Sequence, residues 1–225
     1  MSTIDIIDVK AGIEEDNERY VRKVRAFLSK EGIVFINVMA SPGAGKTTLL
    51  CRIIEALRGR YNIGVIEADV DADVDAVTVS KCGAKAVQLH TGGSCHMDAR
   101  MTLKGLKALA KHMDDSYTCI RKPKIVFLEN IGNLVCPAEF DTGADLKLVL
   151  LSTPEGDDKP LKYPLMFKVA DCIALTKMDT AEVFGFSRQR FESNLRTVNP
   201  HSPIFELSAK TGEGIEALAA HLMKR

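Results

Sequence analysis

The chain has 225 residues, of which 46% are hydrophobic and 27% are charged, so it is long enough to bury one sizeable hydrophobic core. Thirty basic residues balance thirty acidic residues, and no run of lysine or arginine stands out. This balance argues against nucleic acid and anionic membranes as partners, and it favours nucleotides and proteins. We expect residues 1–225 to form a single domain.

The N-terminal sequence MSTIDIIDVKAGIEEDNE is acidic and lacks the basic start and the apolar run of a signal peptide. No later stretch reaches the length of a membrane span. We therefore expect a cytoplasmic protein with no membrane partner. In that reducing compartment, six scattered cysteines favour free thiols over a disulfide framework, with metal binding open at one or two of them.

The hydrophobic pattern predicts helices that alternate with strands along the chain. A leading amphipathic helix is predicted at about residues 11–31. Strands are predicted over residues 33–38, 63–67, 86–89, 124–128, 146–152, 172–175 and 204–207. Further helices are predicted from residues 46 and 73 and over about 96–112, 180–197 and 213–224, with a surface loop at 114–122. Such a pattern is typical of an α/β fold in which helices cover both faces of a mostly parallel central sheet.

A phosphate-binding loop is indicated by the segment ASPGAGKT at residues 40–47, between a predicted strand and a predicted helix. It matches the G-x-x-x-x-G-K-[ST] spacing except at the first glycine, which is Ala40 here. The glycines let backbone N–H groups face phosphate oxygens, the lysine reaches the β- and γ-phosphates, and the threonine hydroxyl can bind Mg²⁺. The residues assigned to the phosphates are Gly43, Ala44, Gly45, Lys46, Thr47 and Thr48.

Two segments near the end of the chain, TKMD at 176–179 and SAK at 208–210, indicate the base that is bound. A carboxylate at Asp179 can accept hydrogen bonds from N1–H and N2–H₂ of guanine, which adenine lacks. The stem of Lys177 can cover the ring, and a backbone N–H near Ala209 can donate to O6. We therefore predict guanine, read by Lys177, Asp179, Ser208, Ala209 and Lys210. Thr176 replaces the asparagine that is usual in this motif.

Two acidic segments, residues 67–75 and 129–133, follow predicted strands. Carboxylates at the carboxyl ends of adjacent parallel strands can reach a metal on the β- and γ-phosphates and can orient the attacking water. Thr47, Asp69 and Glu129 are predicted to hold Mg²⁺, and Lys46, Asp75 and Glu129 are predicted to be catalytic. Asp71 and Asp73 are interpreted as solvated loop charges.

A thiol and an imidazole are adjacent at Cys95 and His96, and Cys136 follows the acidic segment that begins at Glu129. These side chains suit Ni²⁺ or Zn²⁺, and three ligands per chain would let a second chain complete the site. The alternative is that they are ordinary core residues, because cysteine is often a small buried side chain. That interpretation is kept for Cys51, Cys82, Cys119 and Cys172.

The segments SPGAGKTTLL, EADVDADVDA, VQLHTGGSCHMDARM, FLENIGNLVCPAEFD, EGDDKPLKYP, LTKMD and NPHSPIFELSAKTGEGIEA appear in this order between residues 33 and 222. Together they resemble the HypB family of hydrogenase and urease maturation GTPases. The resemblance implies a P-loop NTPase fold of the SIMIBI class and Mg²⁺-dependent hydrolysis of GTP. Slow turnover is expected because no residue of the chain is an evident arginine finger. The resemblance also implies that Cys95, His96 and Cys136 are metal ligands at a GTP-dependent dimer interface, and that Lys159 or Lys162 lies beside the nucleotide.

The expected function is that of a metallochaperone that couples GTP hydrolysis to nickel delivery during [NiFe]-hydrogenase maturation. The partners implied by the family are a HypA-like accessory protein and the hydrogenase large subunit. Residues 1–32 contain neither Cys nor His, so tight nickel storage is not expected. The alternatives are a metal-binding scaffold that uses nucleotide only as a ligand and a urease-maturation GTPase of the same superfamily.

Overall fold

The computed structural model describes the backbone of residues 9–69, 74–113 and 122–224, with side chains from residue 14 onward in those ranges. The helices are α1 Val9–Glu31, α2 Lys46–Leu57, α3 Val74–Lys81, α4 Ala99–Ala110, α5 Cys136–Glu139, α6 Lys159–Lys162, α7 Pro164–Lys168, α8 Arg188–Val198 and α9 Ile215–Leu222. The strands are β1 Ile33–Met39, β2 Asn62–Asp69, β3 Lys85–His90, β4 Lys124–Glu129, β5 Leu146–Ser152, β6 Cys172–Thr176 and β7 Ile204–Glu206.

The seven strands form one sheet in the order β3-β2-β4-β1-β5-β6-β7, and every neighbouring pair is parallel. This confirms the predicted parallel sheet. The order places β4 between β2 and β1, although these strands are far apart in the chain. The register then brings the carboxyl ends of β1, β2 and β4 to one edge, where Glu67 lies opposite Glu129.

Helices cover both faces of the sheet, as predicted. On one face, α2, α3 and α9 pack on a core that includes Val38, Val65 and Phe127. On the other face, α1 and α4 pack on Phe35, Ile66 and nearby side chains, while α7 and α8 cover the β5–β6 side. The leading helix contributes Val21, Val24 and Leu28 to this second face, as its periodicity predicts.

Two predicted helix starts lie too early in the chain. The α4 helix begins at Ala99 because Asp98 caps it, with its side chain accepting a 2.7 Å hydrogen bond from the Met101 N–H. The helix predicted from residue 180 begins at Arg188, because Ser187 caps α8 and the preceding residues form a short 3₁₀ turn and further turns. The short helices α5, α6 and α7 lack the length that a periodic pattern needs, and they were not predicted.

The interpretation of Cys51 and Cys82 as free core thiols is wrong. Their sulfurs are bonded as a disulfide, and their Cα atoms lie 5.5 Å apart. Cys51 lies on α2 and Cys82 directly follows α3, so the packing of these two helices joins residues that are 31 positions apart. Cys172 is buried in β6 as predicted, and Cys95 and Cys136 carry free thiols.

Several predictions concern residues outside the described ranges, namely the loop charges Asp71 and Asp73, the core cysteine Cys119 and most of the loop at 114–122. Within residues 9–69, 74–113 and 122–224, none of the helices combines the length and the apolar character that crossing a lipid bilayer requires.

Candidate functional site

The loop after β1 has the geometry of a phosphate cradle. Gly43 and Gly45 adopt φ angles of 75° and 93°, which side chains other than glycine rarely tolerate. Lys46 then begins α2, and it is 9% exposed at the floor of a cavity of about 570 Å³. The cavity is lined by Pro42, Gly43, Gly45, Lys46, Thr47, Thr48, Asp69, Asp75, Glu129, Ile131, Gly132 and Lys177. The structure thus brings the predicted magnesium ligands and all the predicted phosphate residues except Ala44 to the lining of one cavity.

The oxygen atoms predicted to hold Mg²⁺ surround this cavity. The Thr47 hydroxyl donates a 2.8 Å hydrogen bond to Glu129 Oε1. Asp69 ends β2 and Asp75 lies in the first turn of α3, and both line the same cavity. Hydroxyl and carboxylate oxygens are the ligands that Mg²⁺ prefers, so these side chains fit that ion.

Glu67 is a site residue that the sequence analysis did not select. It is 2% exposed, and its carboxyl group contacts that of Glu129 on the neighbouring strand. Burial and then the adjacent Glu129 carboxylate raise the pKa of Glu67 to about 10, and burial also raises the pKa of Glu129. Glu67 Oε1 and Glu129 Oε2 have no hydrogen-bond partner among the described residues. One shared proton therefore fits the pair, and a nearby cation fits the two remaining oxygens.

A second cavity of about 300 Å³ continues from the first and fits the predicted base site. It is lined by Ala44, Gly45, Thr48, Leu49, Thr176, Lys177, Asp179, Thr180, Ala209 and Lys210. The Ser208 hydroxyl donates a 2.6 Å hydrogen bond to Asp179 Oδ1 and orients the carboxylate. Lys177 Nζ donates to the Gly43 carbonyl at 2.7 Å, which lays the lysine stem between the two cavities.

Thr176 stands where an asparagine is usual, and it still ties the base motif to the phosphate loop. Its hydroxyl donates a 2.7 Å hydrogen bond to the Ala44 carbonyl. The hydroxyl of threonine can thus provide a donor at this position, although it is shorter than an amide side chain.

The segment after β5 supports the phosphate loop from the side. Glu155 accepts hydrogen bonds from the Ser41 hydroxyl and from the Ser152 backbone and side chain. Asp157 accepts hydrogen bonds from Nε and Nη2 of the Arg190 guanidinium, both at 2.6 Å, and this contact lowers the pKa of its carboxyl group. Lys162 lines neither cavity and pairs instead with Asp158, so its predicted place beside the nucleotide remains a prediction.

The predicted soft-metal ligands are neighbours. Cys95 Sγ lies 3.7 Å from His96 Nδ1, and a hydrogen bond to Cys136 raises the pKa of the Cys95 thiol. The His96 ring stacks on Phe140 with 3.8 Å between centroids, and burial lowers its pKa. Among the described residues, no group of three or more His, Cys, Asp or Glu side chains is arranged to hold a metal ion. The three side chains therefore form an incomplete set within one chain.

One segment connects the two sites. It runs from Glu129, in the phosphate cavity, to Cys136 at the start of α5. A Cβ atom on Gly132 would lie 2.9 Å from the Pro42 nitrogen, so the segment touches the phosphate loop where only glycine fits. The Asn133 N–H donates to the Ala40 carbonyl at 2.9 Å. A magnesium ligand candidate and a thiol are thus seven positions apart in the chain.

The chain is similar to known nucleotide-binding proteins over most of its length. The family model described as CobW/HypB/UreG, nucleotide-binding domain, matches residues 34–206. The hydrogenase maturation factor HypB of Rhizobium leguminosarum bv. viciae is 41% identical, over 99% of this chain and 71% of that protein. The probable hydrogenase maturation factor HypB of Methanocaldococcus jannaschii is 36% identical, over 100% of this chain and 97% of that protein.

A solved structure extends the likeness to the whole fold. The crystal structure of HypB from Helicobacter pylori in complex with nickel superimposes with a TM-score of 0.85 at 35% identity, covering 93% of this chain and 94% of that one. The chain therefore belongs to the CobW/HypB/UreG family of nucleotide-binding proteins and, within it, to the HypB group of hydrogenase maturation factors.

Proposed function

We propose that this protein is a GTP-hydrolysing metallochaperone that delivers nickel during the maturation of a [NiFe]-hydrogenase, and that residues 1–225 act as one P-loop GTPase domain. The observation that carries the proposal is the segment from Glu129 to Cys136, which joins the phosphate cavity to the thiol pair. The names of its relatives, hydrogenase maturation factor HypB, support the client enzyme, and the nickel complex of one relative supports the cargo.

In this proposal the chain binds GTP through the phosphate loop and the guanine cavity. Thr47, Asp69 and Glu129 hold Mg²⁺, which neutralises charge on the β- and γ-phosphates when it is bound. Lys46 contacts the same phosphates, and Asp75 orients the attacking water. No arginine lines the phosphate cavity in the part of the chain that the structure describes, and this supports slow turnover without a partner.

The nickel cargo, or zinc in its place, binds Cys95, His96 and Cys136 in this proposal. One chain offers these side chains as an incomplete set, and Cys95 is exposed, so a second copy can complete the coordination. A GTP-dependent homodimer follows from this arrangement. The proposed recipients are a HypA-like accessory protein and the hydrogenase large subunit, and a cytoplasmic location stays a prediction from the sequence.

The test combines nucleotide turnover, metal binding and maturation. Lys46→Ala should abolish GTP hydrolysis and hydrogenase maturation, whereas Cys95→Ala should keep GTP hydrolysis and lose nickel binding and maturation. Lys168→Ala and Cys172→Ala are the controls, because Lys168 and Cys172 line neither cavity. A maturation-competent Lys46→Ala protein would show that nucleotide is only a ligand on a metal scaffold. Restoration of urease rather than hydrogenase would move the proposal to the urease-maturation branch.

The cargo is tested separately by titrating Ni²⁺ and Zn²⁺ into the protein with GDP and with a nonhydrolysable GTP analogue. The proposed function requires that metal affinity changes with the nucleotide. Equal affinity in both states would contradict it, because the switch would then leave the cargo unaffected.

A further inference from the structure

Asn130 directly follows Glu129, and it is almost completely buried, with 1% of its surface exposed. Its backbone N–H donates to the Val38 carbonyl at 3.0 Å, so the residue is anchored at the carboxyl end of β1. A buried amide at this edge of the sheet is costly unless its polar atoms are paired. The hydrogen-bond partners of the Asn130 side chain therefore indicate which segments this residue holds together.

The Asn130 side chain bridges three segments of the protein. Its Nδ2 donates to Asn37 Oδ1 at 3.2 Å, and its Oδ1 accepts from the Ile131 N–H at 2.9 Å. The same Oδ1 accepts from the Met97 N–H at 3.3 Å. Met97 is fully buried and is the residue after His96, so this bond holds the backbone at the imidazole of the metal-site candidate.

Both parts of the metal-site candidate, Cys95 with His96 and Cys136 by itself, are thus attached to the segment from Glu129 to Cys136. The hydrogen bond from the Met97 N–H connects Asn130 to the loop before α4, which carries Cys95 and His96. Cys136 is attached through the chain itself. The Val135 N–H donates to Asn133 Oδ1, and Cys136 then begins α5. Ile131 and Gly132 between them line the phosphate cavity. Because the Ile131 N–H donates to the Asn130 Oδ1, a rearrangement of Ile131 around the terminal phosphate would act directly on the Asn130 side chain.

We propose that Asn130 is a positioning residue through which the state of the nucleotide controls the geometry at His96. The inference rests on the proposed function, because it names the contact that carries the proposed dependence of metal binding on nucleotide. A movement of Ile131 in the phosphate cavity shifts the side-chain oxygen Oδ1 of Asn130. The Met97 N–H then follows this oxygen or loses its hydrogen-bond acceptor. His96 then changes its position relative to Cys136, which is attached to the opposite end of the segment.

The experiment measures the ratio of the Ni²⁺ dissociation constants in the GDP state and in the state with a nonhydrolysable GTP analogue. The wild-type ratio is expected to differ from one by about 5- to 150-fold, the range of typical allosteric coupling. Asn130→Ala should bring the ratio to within about threefold of one, while Ni²⁺ and GDP still bind. The thiolate-to-nickel charge-transfer band should also become the same in both nucleotide states of this variant.

The matched control is Asn62→Ala. Asn62 is also a buried asparagine, and its amide donates to the Met113 carbonyl at 2.9 Å, at the opposite end of β2. The Asn62→Ala variant should lose about as much stability as Asn130→Ala, and it should retain the wild-type ratio of Ni²⁺ dissociation constants. If Asn130→Ala does not fold, Asn37→Ala serves in its place, because it removes the acceptor that orients the Asn130 amide. The Asn37→Ala variant should also bring the ratio of the two dissociation constants closer to one.

A wild-type ratio that persists in Asn130→Ala, or in Asn37→Ala where only that variant folds, would overturn this inference and leave the proposed function intact. A wild-type ratio of one would instead overturn the proposed function, and the inference with it. The two failures are therefore distinguished by the wild-type measurement alone.

Discussion

The Thr47 hydroxyl and the Glu129 carboxylate are 2.8 Å apart and hydrogen-bonded, although 82 residues separate them in the chain. One belongs to the phosphate loop and the other to the end of β4, which the sheet places next to β1. The contact directly links the nucleotide cradle to the segment that leads to Cys136.

Glu129→Gln should lower Mg²⁺-dependent GTP hydrolysis by about 10- to 100-fold, because it weakens a ligand or outer-sphere group of the ion. The amide keeps the size of the side chain and can still accept from Thr47. GDP affinity without Mg²⁺ should change little. Single-turnover phosphate release, measured across a Mg²⁺ titration, tests this expectation, and unchanged turnover at limiting Mg²⁺ would contradict it.

Asp179→Asn should weaken GTP binding by about 100-fold, because two hydrogen bonds from guanine to a charged acceptor are lost. The new amide can donate to the O2 carbonyl that xanthine carries in place of the guanine amino group. Affinity for xanthosine triphosphate should therefore rise in the variant. Competition binding with GTP, ATP and xanthosine triphosphate measures both effects, and Lys168→Ala controls for a surface change.

Glu67→Gln should make the nucleotide-free and Mg²⁺-free protein more stable at neutral pH. The pKa of Glu67 is raised to about 10, so between its ordinary value and pH 10 the folded state binds a proton that the unfolded state lacks. The wild-type free energy of unfolding therefore falls as pH rises through this window. Glutamine mimics the protonated acid without that loss. Urea denaturation from pH 5 to 9 should show a gap that widens with pH, and a constant gap would contradict the shared proton.

Asp157→Asn should destabilise the protein modestly at pH 7, since charged hydrogen bonds from the exposed Arg190 to the buried carboxylate are weakened. The hydrogen bonds from Arg190 lower the pKa of Asp157. The ion pair therefore contributes to the free energy of unfolding above the ordinary aspartate pKa of about 3.9, and this contribution is lost as pH falls through the lowered pKa. Thermal denaturation of both proteins at several pH values should converge under strongly acidic conditions. A difference that persists there would have a cause other than the ion pair.

Removal of the disulfide by the double substitution Cys51→Ser and Cys82→Ser should cost about 3 to 4 kcal/mol, because the bond closes a loop in the unfolded chain. The same loss is expected when the wild-type protein is reduced. Urea denaturation with and without dithiothreitol tests both statements. The double variant should not respond to the reductant, and an equally insensitive wild-type protein would show that the two thiols are not bonded in solution.

Much of the site could be predicted because its signals are local in the chain. The cradle from Gly43 to Thr47 is encoded by consecutive residues between one strand and one helix, and all of it except Ala44 lines the observed phosphate cavity. Asp179 and Ser208 were recognised as motif members, and their hydrogen bond agrees with that assignment. The seven strands were predicted from short apolar runs, and the five inner strands are buried on both faces, as is typical of a parallel sheet.

What the sequence by itself determined was therefore the seven strands and the longer helices, the phosphate and base motifs and the family. Only the tertiary structure decided that Glu67 lies against Glu129, that Cys51 is bonded to Cys82 and that Asn130 reaches Met97. Each of these contacts depends on the order of the strands or on the packing of helices between distant segments. Periodicity describes which face of an element is apolar, and it carries no information about which other element that face or edge will meet.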